Sequence, residues 1–421
     1  MELLAPAGGF KQLEAAIYFG ADAVYLGGER FGLRQRADNF SDSDLADAVT
    51  MAHAAGVKVH VTVNALMHEK DIVSGDRGVT LRDYLRFIQD CGADAVIAGD
   101  LATIVAAREV APNLEVHVST QMSCANHEAA LAYYKLGAKR IVPARELSLS
   151  EIAEMKKNFP DDLQLEVFAH GAMCMAYSGR CIISNYLNGR DANKGHCTQP
   201  CRWNYVLEEE KRPGVHFPVV EDSGFTSIFS SKDLMMLEHL DELEAAGVDS
   251  IKIEGRVKSS YYVATVVNAY RHVLDGEDPA EYLPELDAVS HRPYHTGFFY
   301  GQPDQTVGEV EYTQTKILCG TPSETVPADS KDELFGQGGR GDFVVRFQLN
   351  NKIDGEQVVE VLSPNHPVRS FSPHVMRHVE SGELVRTATR AGEDYECLVP
   401  FEISRGDIMR RQILDSEQRC N

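Results

Sequence analysis

The sequence predicts an α/β protein: a (β/α)8 TIM-like barrel at residues 1–303, followed by a smaller all-β domain at residues 304–421. The main observation is a recurring phrase in which a glycine follows an amphipathic stretch and precedes a β-branched run. A glycine there ends a helix, and the apolar run after it forms a buried parallel strand. The phrase Gly-Ala-Asp-Ala-Val begins at Gly20 and again at Gly92, and variants begin at Gly56, Gly137 and Gly247.

Eight short apolar runs alternate with these helical stretches. In chain order they are ELLAPAG, AVYLGG, KVHVTVN, AVIAGD, EVHVSTQ, RIVPARE, QLEVFAHG and SIKIEGR. Eight such units over about 300 residues favour a closed barrel over a doubly wound sheet. Ser148-Leu-Ser-Glu151 has the pattern of a capping box and marks a helix start between the sixth and seventh strands. Beyond Pro303, short β-rich runs separated by Gly, Pro, Asn and Asp predict a small barrel or sandwich.

Four cysteines lie close together in an insertion at about residues 172–224: Cys174, Cys181, Cys197 and Cys201. The insertion follows the seventh strand, so we expect it at the C-terminal face of the barrel, where such barrels place their active sites. Only Cys197-x3-Cys201 has the spacing usual for zinc, and the uneven set is more typical of an iron–sulfur cluster. Structural zinc and unligated or redox-active thiols stay open as alternatives.

The composition of the chain limits which partners the protein can bind and in which cellular compartment we expect it. The net charge of −22 argues against an extended nucleic-acid surface, so any RNA contact requires a local basic patch. Arg180, Arg190, Lys194 and Arg202 around the cysteines have the right sign for such a patch. We see no signal peptide and no apolar run of membrane-spanning length, so we expect a cytoplasmic protein with reduced thiols and no membrane partner.

The seventh strand contains two candidate catalytic residues, Glu166 and His170. If the strand alternates strictly, both side chains lie on one face together with Phe168. Facing the barrel interior, the pair could transfer protons or support the metal site. The alternative for Glu166 is a buried, hydrogen-bonded residue of the barrel layers.

The last strand contains three alternating charges, Lys252, Glu254 and Arg256. Three charges facing a barrel interior are costly to bury alone, which indicates either a bound ligand or an ion-pair network. Weaker candidates at similar strand ends are Asn64, Gln121, Arg145 and Lys232. We expect the isolated histidines His60 and His117 to be hydrogen-bonded core groups and not ligands.

The motifs of common peptidases do not occur in this sequence. His68-Glu69 and His127-Glu128 both lack the second histidine of HExxH, and there is no G-x-S-x-G elbow.

The run EVFAHGAMCMAYSGRCIISNYLNGRDANKGHCTQPCRWNY, together with SSKDLMML and GVDSIKIEGRVKSSYYVATVVNAYR, resembles the collagenase-like U32 peptidase family. The opening ELLAPAGGFKQLEAAIYFGADAVYLGG matches as well. Within that family the chain looks most like the prephenate-dependent tRNA uridine hydroxylases, which hydroxylate C5 of the wobble uridine.

The resemblance implies that Cys174, Cys181, Cys197 and Cys201 hold a [4Fe-4S] cluster. If the chain has that activity, we expect Trp203 or Tyr205 to stack on a base of the tRNA anticodon loop and Arg180, Arg190 and Arg202 to hold its phosphates. We expect Lys252 and Arg256 to bind the carboxylates of prephenate. The remaining alternatives are a metal-dependent peptidase and an O2-independent hydroxylase of a small molecule or rRNA, with a protein partner or paralogue.

Overall fold

The computed structural model describes most of the two domains and parts of the cysteine insertion. The described residues are 1–33, 38–173, 179, 183–190, 192, 196–200, 207–208, 216–217, 220–222, 225–227, 230–301, 305–306, 312–329, 334 and 341–413.

Eight parallel strands form a closed barrel, as predicted. Each strand pairs with the next, and the last strand pairs with both the first and the seventh, which closes the ring. The strands are β1 (Glu2–Pro6), β2 (Ala23–Leu26), β3 (Lys58–Val63), β4 (Ala95–Ala98), β5 (Glu115–Val118), β6 (Arg140–Ile141), β7 (Gln164–Ala172) and β8 (Ser250–Ile253).

Helices connect the strands. They are α1 (Phe10–Tyr18), α2 (Asp42–Ala54), α3 (Glu69–Val73), α4 (Leu81–Asp90), α5 (Leu101–Val110), α6 (His127–Lys135), α7 (Leu149–Lys157), α8 (Ile183–Asn188), α9 (Leu240–Ala245), α10 (Ser260–Leu274) and α11 (Pro279–Leu286). None of the helices in the described part of the chain combines the length and apolar character needed to cross a bilayer.

Local signals in the sequence account for where these elements begin and end. The five recurring glycines all have positive φ, between +76° and +100°, which only glycine adopts without strain. Ser148 accepts a hydrogen bond from the backbone of Glu151 while the Glu151 carboxylate accepts one from the backbone of Ser148, so the predicted capping box is confirmed.

The barrel strands have two different faces. Residues such as Val59, Val96 and Val116 pack in a large apolar cluster that includes residues of the surrounding helices. Residues that alternate with them, among them Tyr25 and Ile97, belong to a separate small cluster. This alternation with a period of two residues places Tyr25 and Ile97 in the barrel interior, together with the charged side chains described below.

The cysteine insertion leaves the barrel at the end of β7 and returns beside it. The returning strand Asp233–Met235 pairs antiparallel with β7 from Ala172 to His170. Asp233 forms a buried ion pair with Arg292, 2.7 Å between Oδ1 and Nη2, which fastens this return to the segment after α11.

The described part of the C-terminal domain forms an antiparallel sheet of eight strands, as the short β-rich runs beyond Pro303 predicted. Its spatial order is β12-β11-β16-β9-β10-β15-β13-β14. The strands are β9 (Lys316–Pro327), β10 (Phe343–Leu349), β11 (Val359–Ser363), β12 (His366–Phe371), β13 (Met376–His378), β14 (Leu384–Val385), β15 (Asp394–Val399) and β16 (Ile408–Gln412). The placement of the domain boundary at residue 303 stays a prediction.

Candidate active site at the barrel core and mouth

Glu166 lies at the centre of an ion-pair network inside the barrel. Its side chain is fully buried, and its two carboxylate oxygens contact different cations. Oε2 accepts a hydrogen bond from Arg140 Nη1 on β6 at 2.9 Å, and Oε1 accepts one from Lys252 Nζ on β8 at 3.1 Å. Arg140 also forms an ion pair with Glu2 at the start of β1. Strands β1, β6, β7 and β8 therefore each contribute one charge to the network.

These contacts keep Glu166 ionised. Burial by itself would raise the pKa of the carboxyl, but the charges of Lys252 and Arg140 outweigh it and lower the pKa to about 2. The contacts agree with the interpretation of Glu166 as a buried, hydrogen-bonded residue of the barrel layers. Its role in acid/base catalysis stays a prediction.

Lys252 belongs to the same network. Its ammonium lies 4.2 Å from the centre of the Tyr25 ring, a cation–π contact, in addition to its ion pair with Glu166. Burial lowers the pKa of Lys252 despite the neighbouring carboxylate. The charge pattern of the last strand predicted either a bound ligand or an ion-pair network. For Lys252 the structure contains the ion-pair network.

Arg256 and Glu254 follow β8 at the mouth of the barrel, and both are buried. Arg256 reaches across the barrel: its Nη1 donates to Thr62 Oγ1 on β3 at 2.8 Å and its Nη2 donates to Asn39 Oδ1 at 2.6 Å. The backbone of Glu254 donates to the carbonyl of His170 and accepts from the hydroxyl of Tyr262. The guanidinium at the mouth is thus held by side chains from other parts of the barrel.

His170 does not share a face with Glu166, and that expectation is wrong. The pairing of β7 with β8 shifts register after Phe168, because Lys252 pairs with Phe168 but Ile253 pairs with His170. Such a bulge reverses the face on which later side chains lie. His170 consequently packs against tyrosines, with the Tyr270 hydroxyl 3.4 Å from its Nδ1 and the Tyr294 ring centre 5.4 Å from its own.

Burial lowers the pKa of His170 to about 3, so the ring is neutral at physiological pH. His170 thus contributes a neutral, tightly packed ring near the end of the strand that leads into the cysteine segment. Its predicted catalytic role stays untested.

Of the predicted cluster ligands, the structure describes Cys197 alone. Cys174, Cys181, Cys201, and the predicted tRNA contacts Arg180 and Trp203, lie outside the described residues. Cys197 is a partly exposed free thiol whose sulfur accepts a hydrogen bond from the backbone N–H of Gln199 at 3.3 Å. The next residue, Thr198, is anchored to Ser184 by a backbone hydrogen bond of 3.0 Å.

One contact places the cysteine segment at the barrel mouth. A Cβ built on Gly179, between the first two cysteines, would lie 2.0 Å from the carbonyl oxygen of Gln121. The chain therefore passes directly over the loop that follows β5, and any larger residue at position 179 would clash with backbone there. Gln121 is one of the weaker strand-end candidates, and its position supports an insertion that lies across the C-terminal face.

The other weaker candidates have structural contacts. Asn64 Oδ1 accepts from the backbone of Leu33 at 3.2 Å, and the Lys232 carbonyl accepts from His295. The Arg145 guanidinium stacks 4.4 Å from the Phe168 ring centre and donates to the Ala172 carbonyl. Arg145 is thus a second guanidinium close to the mouth.

His60 and His117, which the sequence predicted to be hydrogen-bonded core groups, are not fully hydrogen-bonded within the described part of the structure. Both are buried, and their rings pack edge to face with centres 4.7 Å apart. Neither is a satisfied core histidine, because Nδ1 of each ring has no hydrogen-bond partner among the described residues. The signal that could have found them is the tripeptide Val-His-Val, which occurs in both β3 and β5 and places each histidine on the interior face.

Comparison with known proteins identifies the family. The family model described as peptidase family U32 matches residues 8–309. A tRNA hydroxylation protein P1 of Bacillus subtilis is 43% identical over 73% of this chain and 74% of the relative. A tRNA hydroxylation protein P of Escherichia coli is 31% identical over 97% of this chain and 96% of the relative.

A third relative acts on a different RNA. The 23S rRNA 5-hydroxycytidine synthase of Escherichia coli is 38% identical over 79% of this chain and 50% of the relative. The family match covers most of the chain, including barrel strands β2 to β8 and the network residues Arg140, Glu166 and Lys252. The chain therefore belongs to peptidase family U32.

Proposed function

We propose that this protein is a tRNA hydroxylase, which places a hydroxyl group on C5 of the wobble uridine with prephenate as the source of the hydroxyl. The observation that carries the proposal is the similarity to a tRNA hydroxylation protein along 97% of this chain and 96% of that relative, so both domains are included. Peptidase activity is not favoured, because the sequence has none of the common peptidase motifs despite the family name.

The position on the base is supported by the third relative, whose product is hydroxylated at C5 of a pyrimidine. Cytidine and uridine share the C5 position, so one type of site suits both bases. A wobble uridine lies in a single-stranded loop and can enter a pocket without the cost of breaking a base pair. A barrel mouth is a suitable entrance for such a base.

We propose that Cys174, Cys181, Cys197 and Cys201 hold a [4Fe-4S] cluster. The surroundings of Cys197 fit this ligand role: its thiol is reduced and partly exposed, and a backbone N–H points at the sulfur. Hydrogen bonds of this kind stabilise a ligating thiolate and tune the cluster. When bound, such a cluster supplies one-electron redox chemistry. Zinc on the same four thiols is the alternative.

Arg256 is the proposed carboxylate ligand for prephenate. A guanidinium binds a carboxylate through two parallel hydrogen bonds, and the contacts to Thr62 and Asn39 orient this one at the mouth. Lys252 adds positive charge from within the barrel, although its ammonium is shared with Glu166. Glu254 adjoins both residues along the chain and is proposed as a further substrate contact.

Other residues of the protein are proposed for proton transfer, for positioning of β7 and for contact with the RNA. Glu166 is the acid/base candidate that faces the interior, and its low pKa means that it would accept a proton only transiently. His170 is proposed as a positioning residue for β7, which leads into the cysteine segment. For the RNA, we propose that Trp203 stacks on a base and that Arg180 contacts phosphates, because local basic residues must offset the overall charge of −22.

Because the overall negative charge does not attract tRNA, we also propose a protein partner that delivers it. We propose a cytoplasmic location, where tRNA and reduced thiols are both found.

The test is mass spectrometry of tRNA nucleosides from a strain lacking the gene. We expect the 5-hydroxyuridine derivatives to disappear and to return with the wild-type gene or with the control variant Cys91→Ser, whose cysteine directly follows α4. Cys197→Ser should fail to restore them. Purified protein should hydroxylate tRNA only when prephenate is supplied.

Two results would argue against the proposal. Unchanged 5-hydroxyuridine derivatives in the deletion strain, with no paralogue present, would remove tRNA as the substrate. Loss of a modified nucleoside from rRNA, or cleavage of denatured collagen by the purified protein, would point to the rRNA or peptidase alternative.

A further inference from the structure

A cluster of potential metal ligands lies inside the barrel, away from the cysteines. It consists of His60 on β3, His117 on β5 and Glu166 on β7. One nitrogen of each ring and one carboxylate oxygen all lie within 4.8 Å of one another. The three side chains are 2%, 1% and 0% exposed, so water does not compete freely for these atoms.

Each of the two imidazoles has a ring nitrogen that could bind a metal ion. Nδ1 of His60 and Nδ1 of His117 are buried without a hydrogen-bond partner among the described residues. A buried polar atom left unpaired is costly in free energy, so two of them on neighbouring rings require an explanation. A bound ion that accepts both lone pairs would remove this cost.

The surroundings of His117 favour the ligating tautomer. Its Nε2 lies 3.3 Å from the Oε2 of Glu115, an acceptor that places the ring proton on Nε2. The lone pair is then on Nδ1, inside the barrel. Metal-ligating histidines are held in this way, with the second nitrogen donating to a carboxylate.

Both rings are neutral at physiological pH. Burial lowers the pKa of His60 to about 4 and that of His117 well below its usual range. Neutral imidazole is the form that binds metals, so no proton has to be displaced from these two groups.

The neighbouring charges select the kind of ion. Glu166 already contacts Arg140 and Lys252, so the cluster has little negative charge to offer. Ca²⁺ and Mg²⁺ prefer several oxygen ligands and are poorly matched to such a set. Two imidazoles and one carboxylate suit divalent transition ions such as Zn²⁺ and Fe²⁺.

We propose that His60, His117 and Glu166 form a metal site in the barrel interior that is separate from the four cysteines and binds a divalent transition ion. Bonds of about 2.0–2.2 Å to one ion require donor atoms that lie close together, and these three already lie within 4.8 Å of one another. The site does not depend on the proposed tRNA activity.

The probe is Zn²⁺ added to the cluster-loaded full-length protein, in which the cysteines are occupied. Binding is measured by calorimetry and by the zinc content per chain after gel filtration. We expect the wild type and the control His53→Gln, an exposed histidine on α2, to bind one zinc ion. The double variant His60→Gln, His117→Gln should bind about 100-fold more weakly or not at all, because even outer-shell changes at metal sites cost about 10–100-fold.

Failure of the wild type to bind zinc, or equal binding by the double variant, would overturn the inference. If circular dichroism shows that the double variant does not fold, Lys252→Met decides the question. This change keeps all three donors and removes an adjacent positive charge, so it should tighten zinc binding, and unchanged or weaker binding would contradict the proposal. None of these outcomes depends on whether tRNA is the substrate.

Discussion

The barrel interior and the junction of the two domains contain buried charge networks of the same composition. The interior network consists of Glu2, Glu166, Arg140 and Lys252. The junction network consists of Glu285 on α11 with Glu360, Lys316 and Arg410 from the C-terminal sheet. Each contains two carboxylates, one guanidinium and one ammonium.

The two networks differ in what surrounds them. At the junction, Arg410 is fully buried, but the side chains of Glu285 and Glu360 retain 13% and 21% exposure. In the interior, Glu166 has no exposure and adjoins two imidazoles with unpaired nitrogens. TIM barrels usually fill this space with branched apolar residues. Ionic groups of the same kinds therefore join two domains in one place, and in the other they lie in the barrel interior beside two imidazoles.

The largest expected effect is from Glu166→Ala, which tests whether the interior network holds the barrel together. The change leaves Lys252 buried without its carboxylate and deprives Arg140 of one partner. Breaking a buried pair from one side typically costs about 3–5 kcal/mol, and we expect a loss of that size in the free energy of unfolding. Chemical denaturation followed by circular dichroism measures it.

The control is Glu154→Ala, an exposed glutamate on α7 that pairs with Lys157 at the surface. It should change stability by less than about 1 kcal/mol. If Glu166→Ala were equally mild, the interior network would have to be open to water or able to rearrange.

A smaller loss is expected from Arg410→Ala at the domain junction, about 2–3 kcal/mol. Lys316 remains within 2.7 Å of Glu360 and 3.8 Å of Glu285, and both carboxylates can reach water. Limited proteolysis between the domains should become faster, because the junction is loosened. Arg390→Ala, an exposed arginine of the same domain, is the matched control, and an equal response from both variants would contradict a special role for Arg410.

At physiological pH the smallest effect is expected at His170, whose contribution to stability changes only when the pH is lowered. The pKa of His170 is about 3 in the folded protein, against 6.5 for an ordinary histidine. Between these two pH values the unfolded chain binds a proton at this residue and the folded chain does not. The stability due to the neutral ring is complete above pH 6.5 and is lost as pH falls from 6.5 toward 3, by up to about 1.4 kcal/mol per pH unit. His170→Gln should flatten this part of the stability profile, and an unchanged profile would contradict the assignment of the pH dependence to His170.

Much of the fold was predictable because its signals are local. The recurring glycines, the capping box at Ser148 and the eight apolar runs each act over a few residues, and all of them form the predicted elements. The charges at Lys252 and Arg256 were also identified from strand alternation. The prediction failed at His170, because a bulge at Phe168 changes the face of the strand, and such a shift depends on how two distant strands pair.

The sequence by itself determined the barrel, the β-rich second domain and the position of the cysteine insertion after the seventh strand, since these follow from residue periodicity and backbone preference. Only the tertiary structure decided which side chains meet. His60, His117 and Glu166 lie on three different strands, and closure of the barrel at β7 and β8 brings them within reach of one another. The network that results joins residues more than a hundred positions apart, a distance over which no local pattern in the chain can specify a contact.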